Sequence, residues 1–155
     1  MPNRITPKLI DSLYVEAMLL ADEARGYFDR HGREDRMQLD PIVRVGFSCE
    51  SLKITTRLMH VIAWLLTQRA VEAGELSAGQ ARTPARQLGE GPSSDEELLA
   101  KLPEPALALV RASRDLYARI ERLDRISASA ASGSLASSAS SLSGASPSRR
   151  SSLPA

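Results

Sequence analysis

From Thr6-Pro7, a capping residue followed by a proline suited to a first helical turn, apolar side chains recur at helical spacing: Leu9, Leu13, Ala17, Leu20, Ala24 and Tyr27. His31-Gly32 supplies a stop, so a first helix is predicted up to that point. Polar residues from Gly32 to Gln38 lead to Asp40-Pro41, a second cap and first-turn pair, and no further proline occurs before Pro84. The pattern over this stretch predicts a second helix of about 33 residues ending at Gly74, close to 50 Å long at the α-helical rise. A helix of that length outruns a compact domain and needs neighbours along it.

On a wheel, Val45, Leu52, Met59, Ile62, Ala63, Leu66 and Ala70 share one face of the second helix, which is expected to be core. Opposite lies a stripe of Glu50, Lys53, Arg57 and Gln68, with Trp64 on the same polar side. Ile54, Leu58, Val61 and Leu65 form a second apolar flank. Two coverings are open for that flank. The connection 75–101 or side chains of the third helix can lie over it, or it can form a dimer or partner interface centred on Trp64, since a large aromatic on a polar face is a common interface anchor. Glu50, Lys53, Arg57, Val61, Trp64 and Gln68 are therefore the candidate contact residues.

Glu75 to Ser94 holds several glycines and prolines and reads as a short helical turn after Ser77 followed by a flexible connection over about 75–94. Ser94 and Glu97 have capping-box spacing and open a brief helix from Asp95 to Lys101. Pro103 and Pro105 break and restart the chain. A third long helix follows, with Ala106, Leu109, Val110, Leu116, Tyr117, Ile120 and Leu123 on one side and arginines at 111, 114, 119, 122 and 125 facing water. Beyond Ile126 the composition turns to serine and alanine, with too little apolar surface to offset the entropy of ordering, so residues 127–155 read as a disordered tail. The β-branched residues of 42–45 and 54–56 lie inside the second helical pattern. The expected fold is all-α: a three-helix bundle over residues 1–126 with a long central helix, then the disordered C-terminal tail.

Charge and composition narrow the function. Lys and Arg number 20 against 19 Asp and Glu, a net +1 in 155 residues, which leaves no field of one sign to attract nucleic acid or an anionic membrane. Cys49 is the single cysteine, so neither an intramolecular disulfide nor a Cys/His zinc cluster can form within the chain. Met1 to Pro7 lacks the apolar core of a signal peptide and no apolar run is long enough to span a bilayer, which places the protein in the cytoplasm, with the cell pole as a candidate position there.

Candidate chemistry is sparse. His60 has Thr56, Arg57 and Trp64 as helical neighbours, not the orienting carboxylate or converging ligands that a general base or metal site needs, and it reads as a packed or edge histidine. His31 sits at a helix end. The adjacent acids Asp22-Glu23 and Glu96-Glu97 diverge on a helix. Cys49, on the edge of the expected core face with no histidine within a turn, reads as a buried thiol. Phosphate-binding glycine loops, GxSxG and HExxH are absent from the sequence. No catalytic residue, cofactor or metal is expected. Asp115, Glu121 and Asp124 interleave with the arginines of the third helix, which reads as a salt-bridged face; a nucleic-acid-associated regulator using that helix is the alternative from another class.

Phe47-Ser48-Cys49-Glu50-Ser51-Leu52-Lys53-Ile54-Thr55-Thr56-Arg57-Leu58-Met59, continuing through Ala63-Trp64-Leu65-Leu66 and Gln68-Arg69-Ala70-Val71 to Gly74-Glu75-Leu76-Ser77, resembles the family of the regulator of CtrA degradation, RcdA. Leu102-Pro103-Glu104-Pro105 and Leu116-Tyr117 fit the same pattern. The likeness covers roughly Leu9 to Leu123. It implies a three-helix bundle, a homodimer, and an adaptor that helps the ClpXP protease receive cell-cycle regulators such as CtrA, working with a response regulator of the CpdR type and a cyclic-di-GMP effector of the PopA type. A disordered tail on a rigid bundle suits such a role, because it can tether one partner while the bundle holds another.

Overall fold

A computed structural model describes residues 5–142, and among them there are helices and no strand. α1 (Pro7–Asp29) starts as its sequence dictates: Thr6 Oγ1 accepts from the Leu9 amide at 3.2 Å and Pro7 occupies the first turn. Ile10, Leu13, Ala17 and Ala24 are its buried stripe. The helix breaks at Arg30, whose φ of −120° and ψ of −89° leave the helical region, and restarts at once as α2 (His31–Met37). The polar stretch expected to be a link is thus mostly helical. Aromatic packing accounts for the turn. Tyr27 donates a 2.7 Å hydrogen bond to Asp35, Tyr27 and Phe28 meet edge to face, and both rings meet Phe47 edge-on. Arg44 then reaches back to the carbonyls of Arg36, Met37 and Leu39, satisfying acceptors that the end of α2 leaves open.

α3 (Pro41–Glu72) is the 32-residue central helix that the pattern predicted. It ends at Gly74, whose φ of +76° only glycine adopts without strain, while the Glu75 and Leu76 amides turn back to the Ala70 carbonyl. α1 and α6 (Glu104–Leu142) pack along it. Ala106, Leu109, Val110, Leu116 and Ile120 of α6 are buried, as the third amphipathic pattern requires, and arginines 111, 114, 122 and 125 are exposed.

The domain boundary expected after Ile126 is not marked by a break in the helix, because α6 continues to Leu142; the rest of the expected tail, 143–155, lies outside the described residues. Ser127, Ala130 and Ala131 still share a groove with Ala78, Ala81 and Arg82, whereas Ser132, Gly133 and residues 136–141 are exposed. A helix already nucleated by packing extends cheaply through alanine, which has the best intrinsic helix propensity.

Between α3 and α6 the chain forms α4 (Ala78–Ala81), with a Ser77–Gln80 capping box, a 3₁₀ turn at Pro84–Arg86, and α5 (Glu96–Leu99). The cap of α5 is Asp95, which accepts from the Glu97 amide at 3.0 Å, and not Ser94 as its spacing with Glu97 suggested. Ser94 is engaged elsewhere.

Candidate functional site

The two faces of α3 are the reverse of the pattern-based expectation. Its buried residues are Phe47, Glu50, Ile54, Arg57, Leu58, Val61, Trp64 and Leu65. Val45, Leu52, Met59 and Leu66, expected in the core, are instead exposed, with Leu52 at 69% and Met59 at 63%, and Ile42 stands out at 85%. Of the expected contact residues, Glu50, Arg57, Val61 and Trp64 are therefore inside the chain's own bundle and cannot form a partner surface while it is folded. Lys53 and Gln68 are half-buried. Cys49 is corrected in the same way: it is exposed, because it lies on the outer side.

The charged residues turn inward because partners distant in sequence meet them there. Arg57, 2% exposed, donates to Ser113 Oγ at 3.3 Å, to the Pro92 carbonyl at 3.0 Å and to Ser94 Oγ at 2.9 Å. Ser94 passes the interaction on, donating to Glu50 Oε2 at 2.7 Å, and Lys53 pairs with Glu50 Oε1 at 3.1 Å. Burial pulls the Arg57 pKa below its ordinary value, opposed by the charge of Glu50 and reinforced by that of Arg114. Such a network satisfies most of what it buries and ties three segments together.

Trp64 is anchored likewise. Its Nε1 donates to Asp124 Oδ1 at 3.0 Å, and Arg82 pairs with the same oxygen at 2.9 Å. Farther along the connection, the Tyr117 hydroxyl donates to the Gly89 carbonyl. A Cβ at Gly89 would meet the His60 ring at 2.8 Å and one at Gly91 the Tyr117 ring at 2.9 Å, so these glycines allow the backbone to lie flat on α3 and α6. Of the two coverings left open for the Trp64 side, the connection and α6 provide the one observed. Residues 82–94, expected to be flexible, form a strap fastened at Arg82, Gly89, Pro92 and Ser94.

His60 is half-buried beneath this strap, as a packed histidine, and its Nδ1 has no hydrogen-bond partner among the described residues. Among the described residues no group of three or more His, Cys, Asp or Glu could hold a metal ion, and no helix is long and apolar enough to cross a membrane. The arginines of α6 are partly neutralised: Arg114 pairs with Glu96, Arg119 with Glu16 and Asp115, and Arg125 with Glu121. The hydrogen bond from Glu16 is the main cause that raises the Arg119 pKa.

The surface left for contact is the outer side of α3. Ile42, Val45, Cys49, Leu52, Thr56, Met59, Ala63, Leu66 and Ala70 follow one another at alternating intervals of three and four, a heptad seam that the sequence already carried. On one side it borders α1, where a groove of about 350 Å³ is lined by Ala21, Ala24, Phe28, Leu58, Met59 and Ile62 among others. Gln68 lines a neighbouring groove with Ile5, Pro7 and Ile10. On the other side the seam borders the strap and Leu98, which lies against Gly46.

This arrangement of three long helices has known relatives. A family model described as a protein of unknown function, DUF1465, matches residues 1–145. The chain belongs to the DUF1465 family. Among solved structures, this DUF1465 member is similar to RcdA from Caulobacter crescentus CB15, with 33% identity, a TM-score of 0.62, and coverage of 81% of this chain and 95% of the other. It is thus an RcdA-like protein, in agreement with the likeness noted in the central helix. No curated protein matches the chain.

Proposed function

We propose that this RcdA-like protein is a non-enzymatic, homodimeric adaptor that assists delivery of cell-cycle regulators such as CtrA to the ClpXP protease. The observation that carries the reading is the 33% identity with RcdA over 81% of the chain. Two physical features support it. Glu50, Arg57, Asp124 and Arg82, the charged groups nearest the interior, are engaged with one another's segments in holding the bundle closed. The outer apolar stripe of α3, by contrast, offers the kind of surface on which proteins associate. Residues 127–155 serve as the tether, raising the effective concentration of a partner held by the bundle.

The test is a reconstituted degradation assay with purified ClpX, ClpP and CtrA, a CpdR-type response regulator, a PopA-type effector and cyclic-di-GMP. Adding the chain is expected to speed CtrA loss several-fold, and a version ending at Ile126 is expected to lose part of that gain. An unchanged rate with every helper present rejects the adaptor reading.

A further inference from the structure

The outer seam of α3 has an internal order that bears on what covers it. One set of its positions is small: Cys49, Thr56, Ala63 and Ala70. The other is large: Val45, Leu52, Met59 and Leu66. The large set is exposed, so the two sets form a ridge and a furrow running side by side along most of a helix about 48 Å long. When two such helices pair in parallel, each position faces its own copy, and layers of two small residues alternate with layers of two large ones. When they pair antiparallel, small positions face large ones.

We propose that the outer face of α3 binds a second copy of this chain in an antiparallel register centred between Arg57 and Leu58. In that register Cys49 faces the partner's Leu66, Thr56 the partner's Met59, Ala63 the partner's Leu52 and Ala70 the partner's Val45. Every layer then joins one small and one large side chain, so the seam closes without voids or overpacking. Ile42, the most exposed of these apolar residues, falls against the partner's Ala73, which extends the same rule to the end of the helix.

Charge agrees with this pairing. The positions flanking the seam are Gly46, Lys53, His60 and Thr67 on one side and Ser48, Thr55, Ile62 and Arg69 on the other. The register sets Lys53 near the partner's His60 and Arg69 near the partner's Ser48, so the two permanent cations do not face each other. Both are also compensated within their own chain, Lys53 by Glu50 and Arg69 by Asp11. A strip ~48 Å long and ~10 Å wide gives on the order of 500 Å² per copy. Met18, which shares a face of α1 with Tyr14 and Ala21, widens it towards the ~800 Å² per partner of a stable interface.

The inference deepens the dimeric part of the proposed function and is independent of the protease part. Because Cys49 is the single cysteine, it serves as a built-in ruler. The full chain and its Leu66→Cys variant are oxidised at equal concentration and run on a non-reducing gel, with mass measured by sedimentation equilibrium. Leu66 is exposed, so the variant is expected to keep the native circular dichroism spectrum. The expected result is a dimer by mass for both, with a covalent dimer only for Leu66→Cys, lost again when Cys49→Ser is added. In the antiparallel register the two Cys49 residues lie ~25 Å apart along the axis, too far for a disulfide. A covalent wild-type dimer through Cys49, or a dimer by mass that Leu66→Cys does not lock, overturns the register while leaving self-association intact. A monomer by mass at 100 µM, roughly, overturns both, and gives the seam to a different protein.

Discussion

The inner and outer faces of α3 carry opposite kinds of residue from those that burial alone would assign. The inner face holds a glutamate, an arginine and a tryptophan; the outer face holds isoleucine, valine, leucine and methionine. What separates them is the number of specific partners each residue finds within the chain. Arg57 meets the strap and α6 at the same time, and Trp64 meets Asp124, while Leu52 and Met59 remain exposed. Hydrophobicity sets how much a face gains by being covered, but complementarity decides which face this chain covers with itself.

The strongest way to break this comparison is to remove one residue from each face. Trp64→Ala deletes the largest fully buried side chain and leaves Asp124 without its indole donor, for an expected loss of about 3–5 kcal/mol in urea unfolding. Arg57→Ala leaves Glu50 buried with only Lys53 and Ser94 as partners and is expected to cost ~3–5 kcal/mol. Leu52→Ala, on the outer face, should stay within ~0.5 kcal/mol at low protein concentration. An outer-face loss as large as the inner-face ones would show that burial had been assigned to the wrong side.

Much of the bundle was legible in the sequence, and the reason is locality. Thr6-Pro7 and Gly74 mark helix ends through contacts within a few residues, and the stripes of α1 and α6 are each amphipathic in one sense only. α3 is different because it is apolar on more than one side, so a wheel cannot say which side the other helices choose. The residues that decide the matter, Ser94, Ser113 and Asp124, lie 37, 56 and 60 positions from their partners on α3. No window of local periodicity contains such a pair. Ser94 carries the cost of this most directly, since its spacing to Glu97 fits a capping box while its hydroxyl is spent on Glu50. The heptad seam was present in the sequence as well, yet reading it as core followed from assuming that a helix has one apolar face.

A sharper and smaller test concerns the strap that completes the inner face. Gly89→Ala and Gly91→Ala place a methyl group at 2.8 Å from the His60 ring and 2.9 Å from the Tyr117 ring, so the strap must lift or the rings must move. Each is expected to cost ~1–3 kcal/mol and to speed amide exchange in residues 87–94 ahead of the rest of the fold. By contrast, Gly133→Ala, at an exposed position with nothing within 4 Å, should be neutral or slightly stabilising. Equal effects at all three would mean that the strap does not lie on α3 and α6.

The inner face also predicts an alkaline limit. Tyr27, against Phe47, has its pKa raised by burial and by its hydrogen bond to the Asp35 carboxylate, and Tyr117 is raised chiefly by burial. An unfolded tyrosine loses its proton near pH 10.0, whereas the folded groups hold theirs to higher pH. Above that point the unfolded chain therefore binds fewer protons than the native one, and stability falls as pH rises towards the folded values. Below it the contribution is fully present. Tyr27→Phe with Tyr117→Phe should cost ~1 kcal/mol per lost hydrogen bond at neutral pH and flatten the decline above pH 10.0. A decline of unchanged slope in the double variant would assign it to other groups.

The smallest effect on the isolated chain is the most informative about the outer face. Met59→Ser replaces an exposed side chain, so at a concentration where the chain is monomeric it should shift stability by less than ~0.5 kcal/mol. If the seam pairs with a second copy, the wild-type unfolding midpoint must climb with concentration, because association binds the folded state alone. Met59→Ser, which opposes a serine to the partner's Thr56 and leaves a gap in the layer, should remove most of that climb. Trp64→Ala should lower the midpoint by the same amount at every concentration at which both forms share an oligomeric state, since its contacts are internal. The two faces are then separated by a slope: an inner residue sets the height of the stability curve, and an outer residue sets its dependence on how many copies are present.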